Sequence, residues 1–550
     1  MIYPKIPLAQ SIIEILSAKG ISNIIISPGS RNAPLTIGFA QNPNFKCYSI
    51  ADERCAAFFA LGIAQQTKEP TAIICTSGSA LLNYYPALAE AFYSQIPLIV
   101  ISADRPQNKI DIGDGQTIRQ QNVFLNHSVF NANLTEESSE ENDLKINKAI
   151  EEAIKLKGPV HINAPFEEPL YETVSGLSVS PVITKPEQEV FAKTIENIEE
   201  FVSVWNTAKR KLVLVGVNEY GILDQNIIDN LAQDPSVVVL TETTSNLHAP
   251  NFFQYIVLLN YTFDDADFKD FNPEVLITFG GMVVSKRIKG FLRKYKPSHH
   301  WHIDTLRAYD TFGALTKHVI MQPNDFFSDL FSKTIKTESN YFKSIDDVYS
   351  DRKIKKQNYL SKIEFSDFKV FEKVIASLPK NCQLQISNSP AIRYAQLIEI
   401  DESIEVFCNR GTSGIDGSTS TAIGAAVGNK KQTIFITGDI SFLYDSNALW
   451  NSYIPKNFKI ILINNGGGGI FRILPGHEEN VFLLFLKIAS IKSQLWQSYH
   501  FNYYKAFDEK ALDENLKEMY SQNEFPSILE VFTPTAENDK DLKQYFKELI

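Results

Sequence analysis

Two polar turns near the end of the chain carry oxygen atoms of the kind that bind a divalent cation. Asp439 follows the apolar run Thr433–Thr437, and Asn465, which stands 26 positions later, follows the apolar run Ile460–Ile463. If both runs are strands of one parallel sheet, both turns lie at its carboxyl edge, where open α/β sheets bind ligands. The carboxylate of Asp439, the amide oxygen of Asn465 and the backbone carbonyl of Gly467 then form a ligand set suited to Mg²⁺.

The residues around Asp439 also suit a diphosphate group. Gly438, Ile440 and Ser441 lie at a predicted helix start, where backbone N–H groups attract anions. Each turn alone is better explained by turn chemistry, because Gly, Asp and Asn all favour turns. Together, with an apolar strand before each, they resemble the metal–diphosphate motif of thiamine-diphosphate enzymes, in which Mg²⁺, or alternatively Mn²⁺, binds the cofactor.

An acidic pair stands at another predicted strand-to-helix junction, near the front of the chain. Asp52 and Glu53 follow Tyr48–Ile50 and precede the apolar run Ala56–Leu61. An acid in the first turn of a helix is a favourable partner of the helix dipole and needs no other role. Thiamine catalysis, however, requires a buried carboxyl group that shares a proton with the aminopyrimidine ring. We predict Glu53 as that catalytic and cofactor-binding residue, with Asp52 facing outward.

The segments between these turns alternate between strand-like and helix-like patterns. Continuous apolar runs such as Thr71–Cys75, Val237–Leu240 and Val275–Phe279 predict strands of parallel sheets, and the helical patterns between such runs indicate βαβ units. A chain of 550 residues is too long for a single core. We therefore predict an α/β protein of three doubly wound parallel-sheet domains, over residues 1–180, 190–345 and 358–550.

Composition excludes several classes of function. The net charge of -11 argues against nucleic-acid or membrane-surface partners, which both require a cationic face. The 5 cysteines include no C-x-x-C pair, so neither a zinc site nor a disulfide framework is indicated. The most apolar run, Val481–Leu486, is too short to insert across a membrane, and the N-terminal residues lack a signal-peptide pattern. These features predict a cytoplasmic protein.

Six further runs of residues resemble one enzyme family. The two most specific read S-P-G-S-R-N-A-P-L and N-R-G-T-S-G-I-D-G. The runs are Ser27–Leu35, Asp52–Arg54, Ser102–Pro106, Gly115–Gln120, Asn388–Arg393 and Asn409–Gly417. They resemble the family of 2-succinyl-5-enolpyruvyl-6-hydroxy-3-cyclohexene-1-carboxylate synthases, thiamine-diphosphate enzymes of menaquinone biosynthesis.

The resemblance implies a reaction. The family decarboxylates 2-oxoglutarate and joins the succinyl carbanion to isochorismate by 1,4-addition. Each substrate carries two carboxylates, so the pocket needs several cations, and Arg suits bidentate carboxylate binding. By resemblance the substrate-binding residues are Ser30, Arg31, Arg105, Gln116, Lys286, Arg287, Ser389, Arg393 and Arg410, with an apolar wall of Ile470, Phe471 and Leu474.

The resemblance also implies an arrangement of domains. Ile415 would separate the two cofactor rings and hold the cofactor bent. The first domain would bind the pyrimidine ring, and the third would bind the diphosphate and the metal ion. Since the cofactor would lie between the first domain of one subunit and the third domain of another, we expect a homodimer or a homotetramer.

Two other functions remain open from the residues. One is a different thiamine-diphosphate decarboxylase or carboligase, similar to acetolactate synthase, which would need fewer pocket cations. The other is a catalytically silent relative with a binding or regulatory role. The presence of Glu53, Asp439 and Asn465 argues against it, and the run Val481–Trp496, which does not resemble the family, argues weakly for it. Lys286–Arg287 could form a charged surface turn, and we predict His299–His302 to be a surface loop rather than a metal site.

Overall fold

Three parallel sheets with helices between their strands form the protein, which confirms the predicted α/β class. The computed structural model describes residues 2–186, 191–254, 270–467, 500–522, 524–534 and 538–549. Within these ranges each of the three sheets has 6 strands, all parallel. None of the helices in these ranges has the length and apolar character needed to cross a lipid bilayer.

The first sheet lies within the predicted first domain. Its strands are β2 (Asn23–Ile26), β3 (Lys46–Ser49), β4 (Thr71–Cys75), β5 (Leu98–Asp104), β6 (Phe130–Asn133) and β7 (Val160–Pro165). Two short strands, β1 (Tyr3–Pro4) and β8 (Thr173–Val174), pair antiparallel. The helices are α1 (Pro7–Ala18), α2 (Ala33–Gln41), α3 (Glu53–Thr67), α4 (Ser79–Asn83), α5 (Tyr85–Ser94) and α6 (Glu140–Lys155). The strand order across the sheet is β3-β2-β4-β5-β7-β6.

The central sheet has a different order. Its strands are β9 (Lys211–Val215), β10 (Val237–Leu240), β11 (Phe252–Phe253), β12 (Val275–Phe279), β13 (His299–Ile303) and β14 (Lys317–Val319). The helices are α7 (Ile198–Thr207), α8 (Gln225–Gln233), α9 (Lys286–Lys294), α10 (Pro323–Phe331) and α11 (Tyr341–Leu360). The order across the sheet is β11-β10-β9-β12-β13-β14.

The third sheet repeats the plan of the first. Its strands are β15 (Gln383–Ile386), β16 (Glu405–Phe407), β17 (Thr433–Gly438), β18 (Phe458–Asn464), β19 (Asn502–Ala506) and β20 (Ser527–Phe532). The helices are α12 (Asp367–Ala376), α13 (Pro390–Ala395), α14 (Ser418–Gly428), α15 (Asp439–Tyr444), α16 (Glu509–Ser521) and α17 (Asn538–Glu548). The order is β16-β15-β17-β18-β20-β19, with β17 and β18 adjacent as predicted.

Helices α3 and α14 join the first and third domains along a stripe of small residues. A Cβ atom at Gly62 would lie 2.1 Å from the carbonyl oxygen of Thr421, and one at Gly424 would lie 2.0 Å from that of Phe59. Only glycine permits this approach, since real Cβ contacts are never so short. One apolar core, which includes Phe58 from α3 and Phe435 from β17, continues across the contact.

The predicted surface loop at His299–His302 is wrong, because these residues form β13. The strand pairs with β12 on one side and β14 on the other. His300 is only 1 % exposed, and its Nε2 lies 2.8 Å from Thr278 Oγ1, which is also 2.8 Å from His302 Nδ1. Sheet pairing satisfies the backbone of this segment, and Thr278 forms one hydrogen bond with each of His300 and His302, whose side chains were expected from their polarity to face water.

Candidate active site

The two polar turns of the third domain meet at the carboxyl edge of the sheet. Asp439 is the first residue of α15 and is 8 % exposed. Its Oδ1 accepts a hydrogen bond from the N–H of Ile440 at 2.7 Å, and its Oδ2 accepts one from the N–H of Gly467 at 2.7 Å. The second bond connects the turn after β17 with the turn after β18, so the proposed ligands lie side by side.

A second carboxylate orients Asn465. The Nδ2 of Asn465 donates to Asp367 Oδ2 at 2.8 Å, and Asp367 Oδ1 accepts from Thr533 Oγ1 at 2.6 Å. The amide oxygen of Asn465 is therefore turned away from Asp367. Gly466 and Gly467 have φ values of 78° and 88°, in the left-handed region that favours glycine.

This arrangement fits a divalent cation and a diphosphate in its donor chemistry. Asp439, Asn465 and the carbonyl of Gly467 offer carboxylate, amide and backbone oxygens, which are the donors that Mg²⁺ prefers. A Cβ atom built on Gly438 would meet no atom within 4 Å, so the turn borders open space. A phosphate group could approach the backbone there.

The loop that carries Ile415 packs against the same helix. Ser441 Oγ donates to the carbonyl oxygen of Ile415 at 2.8 Å. Ile415 is half-buried and is followed by Gly417, which has a φ of 67° and precedes α14. The structure therefore places Ile415 beside α15, the helix that begins with Asp439.

Glu53 lies at the start of α3, as predicted. Asp52 caps this helix, since its Oδ1 accepts from the N–H of Cys55 at 3.1 Å. Asp52 does not simply face outward: its Oδ2 also accepts from Asn447 Nδ2 at 2.7 Å. Glu53 is half-buried, and Asn83 Nδ2 lies 3.5 Å from its Oε2. Among the described residues this is the one hydrogen bond of the Glu53 side chain, so no hydrogen bond of these residues joins Glu53 to Asp439.

The neighbours of Glu53 attach α3 to the segment that follows α15. Arg54 Nη2 donates to the carbonyl of Tyr444 at 2.7 Å. Cys55 Sγ lies 3.5 Å from Asp445 Oδ1, and Asp445 Oδ2 accepts from the N–H of Ser420 at 2.7 Å. Burial raises the pKa of Asp445 to about 6, although its hydrogen bonds to Ser420 and the charge of Arg54 oppose this shift. These contacts fix the orientation of the first turn of α3, which carries the Glu53 side chain.

A group of cations surrounds the loop that precedes Ile415. Arg410 Nη1 donates to Asn388 Oδ1 at 2.7 Å. The pKa of Arg393 is lowered, first by burial and then by the nearby charge of Arg410. Ser389, next to Asn388, has a φ of 70°, which turns the chain sharply before α13. Arg393, Arg410 and Ser389, which were predicted separately, therefore lie together.

The central domain contributes charges to the same group. Burial raises the pKa of Glu242, opposed by hydrogen bonds from the N–H groups of Val284 and Ser285 and by the charges of Arg410 and Lys289. Glu242 thus connects the Arg410 loop to the residues just before α9.

The predicted pair Lys286–Arg287 forms the exposed first turn of α9 rather than a surface turn. Cations there oppose the helix dipole.

The first domain holds a second group of predicted residues. Arg31 is 5 % exposed, and its guanidinium donates to the carbonyl of Phe166 at 3.0 Å and to Glu168 Oε1 at 3.1 Å. Arg105 follows β5 and has a buried Nε. Ser30 and Gln116 are exposed, and Gln116 has a φ of 56°. The apolar wall at Ile470, Phe471 and Leu474 and the run Val481–Trp496 lie outside the described residues.

Known proteins are similar to this chain over almost its whole length. The family model described as "Thiamine pyrophosphate enzyme, N-terminal TPP binding domain" matches residues 6–128. Three similar proteins are each named 2-succinyl-5-enolpyruvyl-6-hydroxy-3-cyclohexene-1-carboxylate synthase. They come from Flavobacterium johnsoniae (75 % identical, 100 % of both chains), Flavobacterium psychrophilum (64 %, 100 % of both) and Christiangramia forsetii (49 %, 99 % of both). The chain belongs to this synthase family.

Membership of the synthase family confirms that the chain is an enzyme, and the matched domain supports thiamine diphosphate as its cofactor. The structure adds residues that the sequence did not single out. Asp367 accepts a hydrogen bond from Asn465, and Asn388 accepts one from Arg410. Glu242 accepts one from the N–H of Ser285, the residue before Lys286. Of these, only Asn388 had a signal in the sequence, because it stands next to Ser389 in one of the matched runs.

Proposed function

We propose that this enzyme, with thiamine diphosphate and Mg²⁺ bound, decarboxylates 2-oxoglutarate and adds the succinyl group to isochorismate. The products are 2-succinyl-5-enolpyruvyl-6-hydroxy-3-cyclohexene-1-carboxylate and CO₂, in menaquinone biosynthesis. One observation carries the proposal: the loop that bears Arg410 also bears Ile415, whose carbonyl is bonded to Ser441 two residues after Asp439. Cations for carboxylates thus lie beside the turn proposed for the cofactor.

The third domain would hold the metal ion and the diphosphate. Asp439, Asn465 and the carbonyl of Gly467 are the proposed metal ligands, and Gly438, Ile440 and Ser441 would face the diphosphate. When bound, thiamine diphosphate supplies a nucleophilic thiazolium carbon and a place for the electrons that CO₂ leaves behind. Mn²⁺ could replace Mg²⁺, because the ligands are all oxygens.

The protein's own groups would manage protons and charge. Glu53 would share a proton with the aminopyrimidine ring, which would favour the tautomer that can accept the thiazolium proton. Ile415 would stand between the two rings and keep the cofactor bent, an orientation effect. Six cations would neutralise the four carboxylates of the two substrates: Arg31, Arg105, Lys286, Arg287, Arg393 and Arg410. The polar residues Ser30, Gln116 and Ser389 would line the pocket beside them.

A second copy of the chain would complete the site. Among the described residues no hydrogen bond joins Glu53 to Asp439, and large apolar side chains near the start of α3 are exposed. Tyr444, whose carbonyl binds Arg54, is 53 % exposed, Leu82, which precedes Asn83, is 43 % exposed, and Trp450 is 60 % exposed. A homodimer, or a tetramer of two such dimers, would cover this surface. Sedimentation analysis of the protein with cofactor measures the assembly, and a stable monomer that turns over substrate would contradict it.

The decisive experiment supplies thiamine diphosphate, Mg²⁺, 2-oxoglutarate and isochorismate, and follows CO₂ release and product mass. Both substrates should be required for the product, and removal of divalent ions with EDTA should stop the reaction. A parallel reaction replaces 2-oxoglutarate with pyruvate. Because pyruvate leaves the pocket cations without a second carboxylate, it should react poorly. A preference for pyruvate would instead support the acetolactate-synthase-like function.

A further inference from the structure

Glu90 is a buried carboxylate of the first domain whose hydrogen bonds reach into the third domain. It lies on α5 and is 1 % exposed. Its Oε1 accepts from Ser94 Oγ at 2.7 Å and from the N–H of Gly411 at 2.7 Å. Its Oε2 accepts from the N–H of Thr412 at 2.6 Å and from Thr412 Oγ1 at 2.8 Å. Three of these four donors thus belong to the two residues that follow Arg410.

These bonds replace the water that the carboxylate loses on burial. An ionised carboxylate is costly to bury unless donors compensate its charge, and hydrogen bonds to charged groups contribute about 1.5–3 kcal/mol each. No ion pair of the described residues includes Glu90. Gly411 permits the close approach, since a Cβ atom there would lie 2.6 Å from the carbonyl oxygen of Glu90. The position of the loop relative to α5 is therefore tightly determined.

The loop has little else to fix its tip. Thr412 and Ser413 are exposed, and Ser413 has a φ of 61°, so apolar packing does not hold these residues. The opposite side is held by Asn388, whose Nδ2 donates to the carbonyls of Asn409 at 2.6 Å and Gly414 at 2.7 Å. Asn388 and Glu90 thus hold the loop from the third and the first domain respectively.

We propose that Glu90 is a positioning residue for Arg410, acting through the backbone of Gly411 and Thr412. It sets the direction of the Arg410 guanidinium so that the pocket selects a substrate with a second carboxylate. This inference rests on the proposed function, because it assigns to Arg410 the binding of a dicarboxylate. Glu90 itself touches neither substrate nor cofactor.

The test variant is Glu90→Gln, which keeps the volume of the side chain. The NH₂ group of the new amide would face the N–H of Gly411 or that of Thr412, so one of these two donors would lose its acceptor. The KM for 2-oxoglutarate should rise about tenfold, which corresponds to roughly the free energy of one hydrogen bond to a charged group. The kcat should change much less, and the preference for 2-oxoglutarate over pyruvate should fall. A merely structural role would lower the active fraction and leave KM unchanged.

Glu405→Gln is the matched control. Glu405 lies on β16, which leads into the same loop, and its carboxylate is paired with Lys431 at 2.5 Å on the surface. The same chemical change there should leave KM as in the wild type. A second comparison adds Glu90→Gln to Arg410→Ala. If Glu90 acts through Arg410, the double variant should have nearly the KM of Arg410→Ala alone.

The outcomes separate this inference from the proposed function. An unchanged KM in Glu90→Gln, or a KM rise that adds fully to that of Arg410→Ala, overturns the role of Glu90 while wild-type turnover stands. If Glu90→Gln does not fold, Glu90→Asp decides, because it keeps the charge but draws the carboxylate away from the N–H groups of Gly411 and Thr412; a KM equal to that of the wild type overturns the role. If the wild type binds 2-oxoglutarate but does not turn it over, the variants are compared by their affinity for 2-oxoglutarate, measured by calorimetry, in place of KM. Absence of binding rejects both the role and the function.

Discussion

The first and third domains share one strand order but present different chemistry at the same edge. Numbered within each domain, the order of both sheets is 2-1-3-4-6-5. The fourth strand of the first domain is followed by Arg105, whereas the fourth strand of the third domain is followed by Asn465. The third strands are followed by a hydroxyl-rich turn at Thr76–Ser77 in one case and by Asp439 in the other. The shared topology therefore brings corresponding turns to the same edge of each sheet, while the type of side chain at that edge differs between the two.

The helix after the second strand extends the comparison. It is α3 in the first domain and α14 in the third, and each contributes a glycine to their mutual contact. Glu53 begins α3, while the loop with Arg410 and Ile415 leads into α14. One domain thus presents an acid where the other presents a cation and an apolar side chain. The proposed division of roles is a proton-handling first domain and a cofactor-holding third domain.

Glu53→Gln should have the largest effect on turnover. The amide cannot hold the shared proton, so kcat should fall by about 10²–10⁴-fold, the usual contribution of general acid–base catalysis. Calorimetry should still show cofactor binding, because the metal and diphosphate ligands belong to the third domain. Glu14→Gln, a change of the same type on α1, serves as the control. Near-normal kcat in Glu53→Gln would reject the catalytic role.

Asp439→Ala should show the opposite pattern. Loss of the carboxylate removes a metal ligand and the acceptor of the Gly467 N–H, so Mg²⁺-dependent affinity for thiamine diphosphate should fall about 100-fold or more. Asp513→Asn, which changes an exposed acid on α16, should bind the cofactor normally. An Asp439→Ala protein with unaltered affinity would break the division between the two domains.

Gly424→Ala tests the contact between α3 and α14. The added methyl group would overlap the backbone of Phe59, and overpacking of this kind costs about 1–3 kcal/mol in the free energy of unfolding. Gly290→Ala is the control, because a Cβ atom there meets nothing within 4 Å. In a helix interior it should stabilise by up to about 1 kcal/mol. Urea titration measures both, and equal effects would show that the contact is not close.

Acidification should affect the two domains in opposite directions. Burial lowers the pKa of His161, on β7, to about 3 from 6.5. Neutral His161 therefore contributes stability above pH 6.5 that is lost as the pH falls toward 3, because the unfolded chain binds a proton that the folded chain rejects. The loss is at most about 1.4 kcal/mol per pH unit. Hydrogen exchange measures the free energy of opening for backbone amides of the first sheet. In His161→Gln this free energy should depend less on pH between pH 7 and 5. The same pH dependence in the variant and in the wild type would contradict this role of His161.

Asp445 provides the opposite sign. Its pKa is raised from 3.8 to about 6, so the folded chain binds the proton more tightly than the unfolded chain. The free energy of opening near α14 should therefore rise as the pH falls from about 6 toward 3.8. In Asp445→Asn this rise should disappear. A rise of the same size in the variant would show that another group is responsible.

The strands of the interior were predictable from sequence, but pairing at the edges was not. The runs Thr71–Cys75, Val237–Leu240 and Val275–Phe279 are observed strands with the predicted bounds. They are buried on both faces, so continuous apolar character identifies them. His299–His302 gave no such signal, because its strand character depends on pairing with β12 and β14.

The candidate site shows the same limit. Local turn chemistry after two apolar strands was enough to place Asp439 and Asn465 at one edge. The residues that hold them or their neighbours stand far away in the chain: Asp367 is 98 positions from Asn465, and Glu90 is 321 positions from Gly411. An isolated Asp or Glu in a helix is usually a solvated residue. Nothing local distinguishes a carboxylate that accepts backbone N–H groups of another domain.

By itself, the sequence determined the α/β class, the family, and the types of side chain available for metal, diphosphate and carboxylate binding, because these follow from periodicity and short runs. The tertiary structure alone decided that α3 and α14 meet through Gly62 and Gly424, that Gly467 donates to Asp439, and that Glu90 supports the Arg410 loop. Such contacts depend on how sheets and helices pack, and residues that stand from 28 to hundreds of positions apart become neighbours only when the chain is folded.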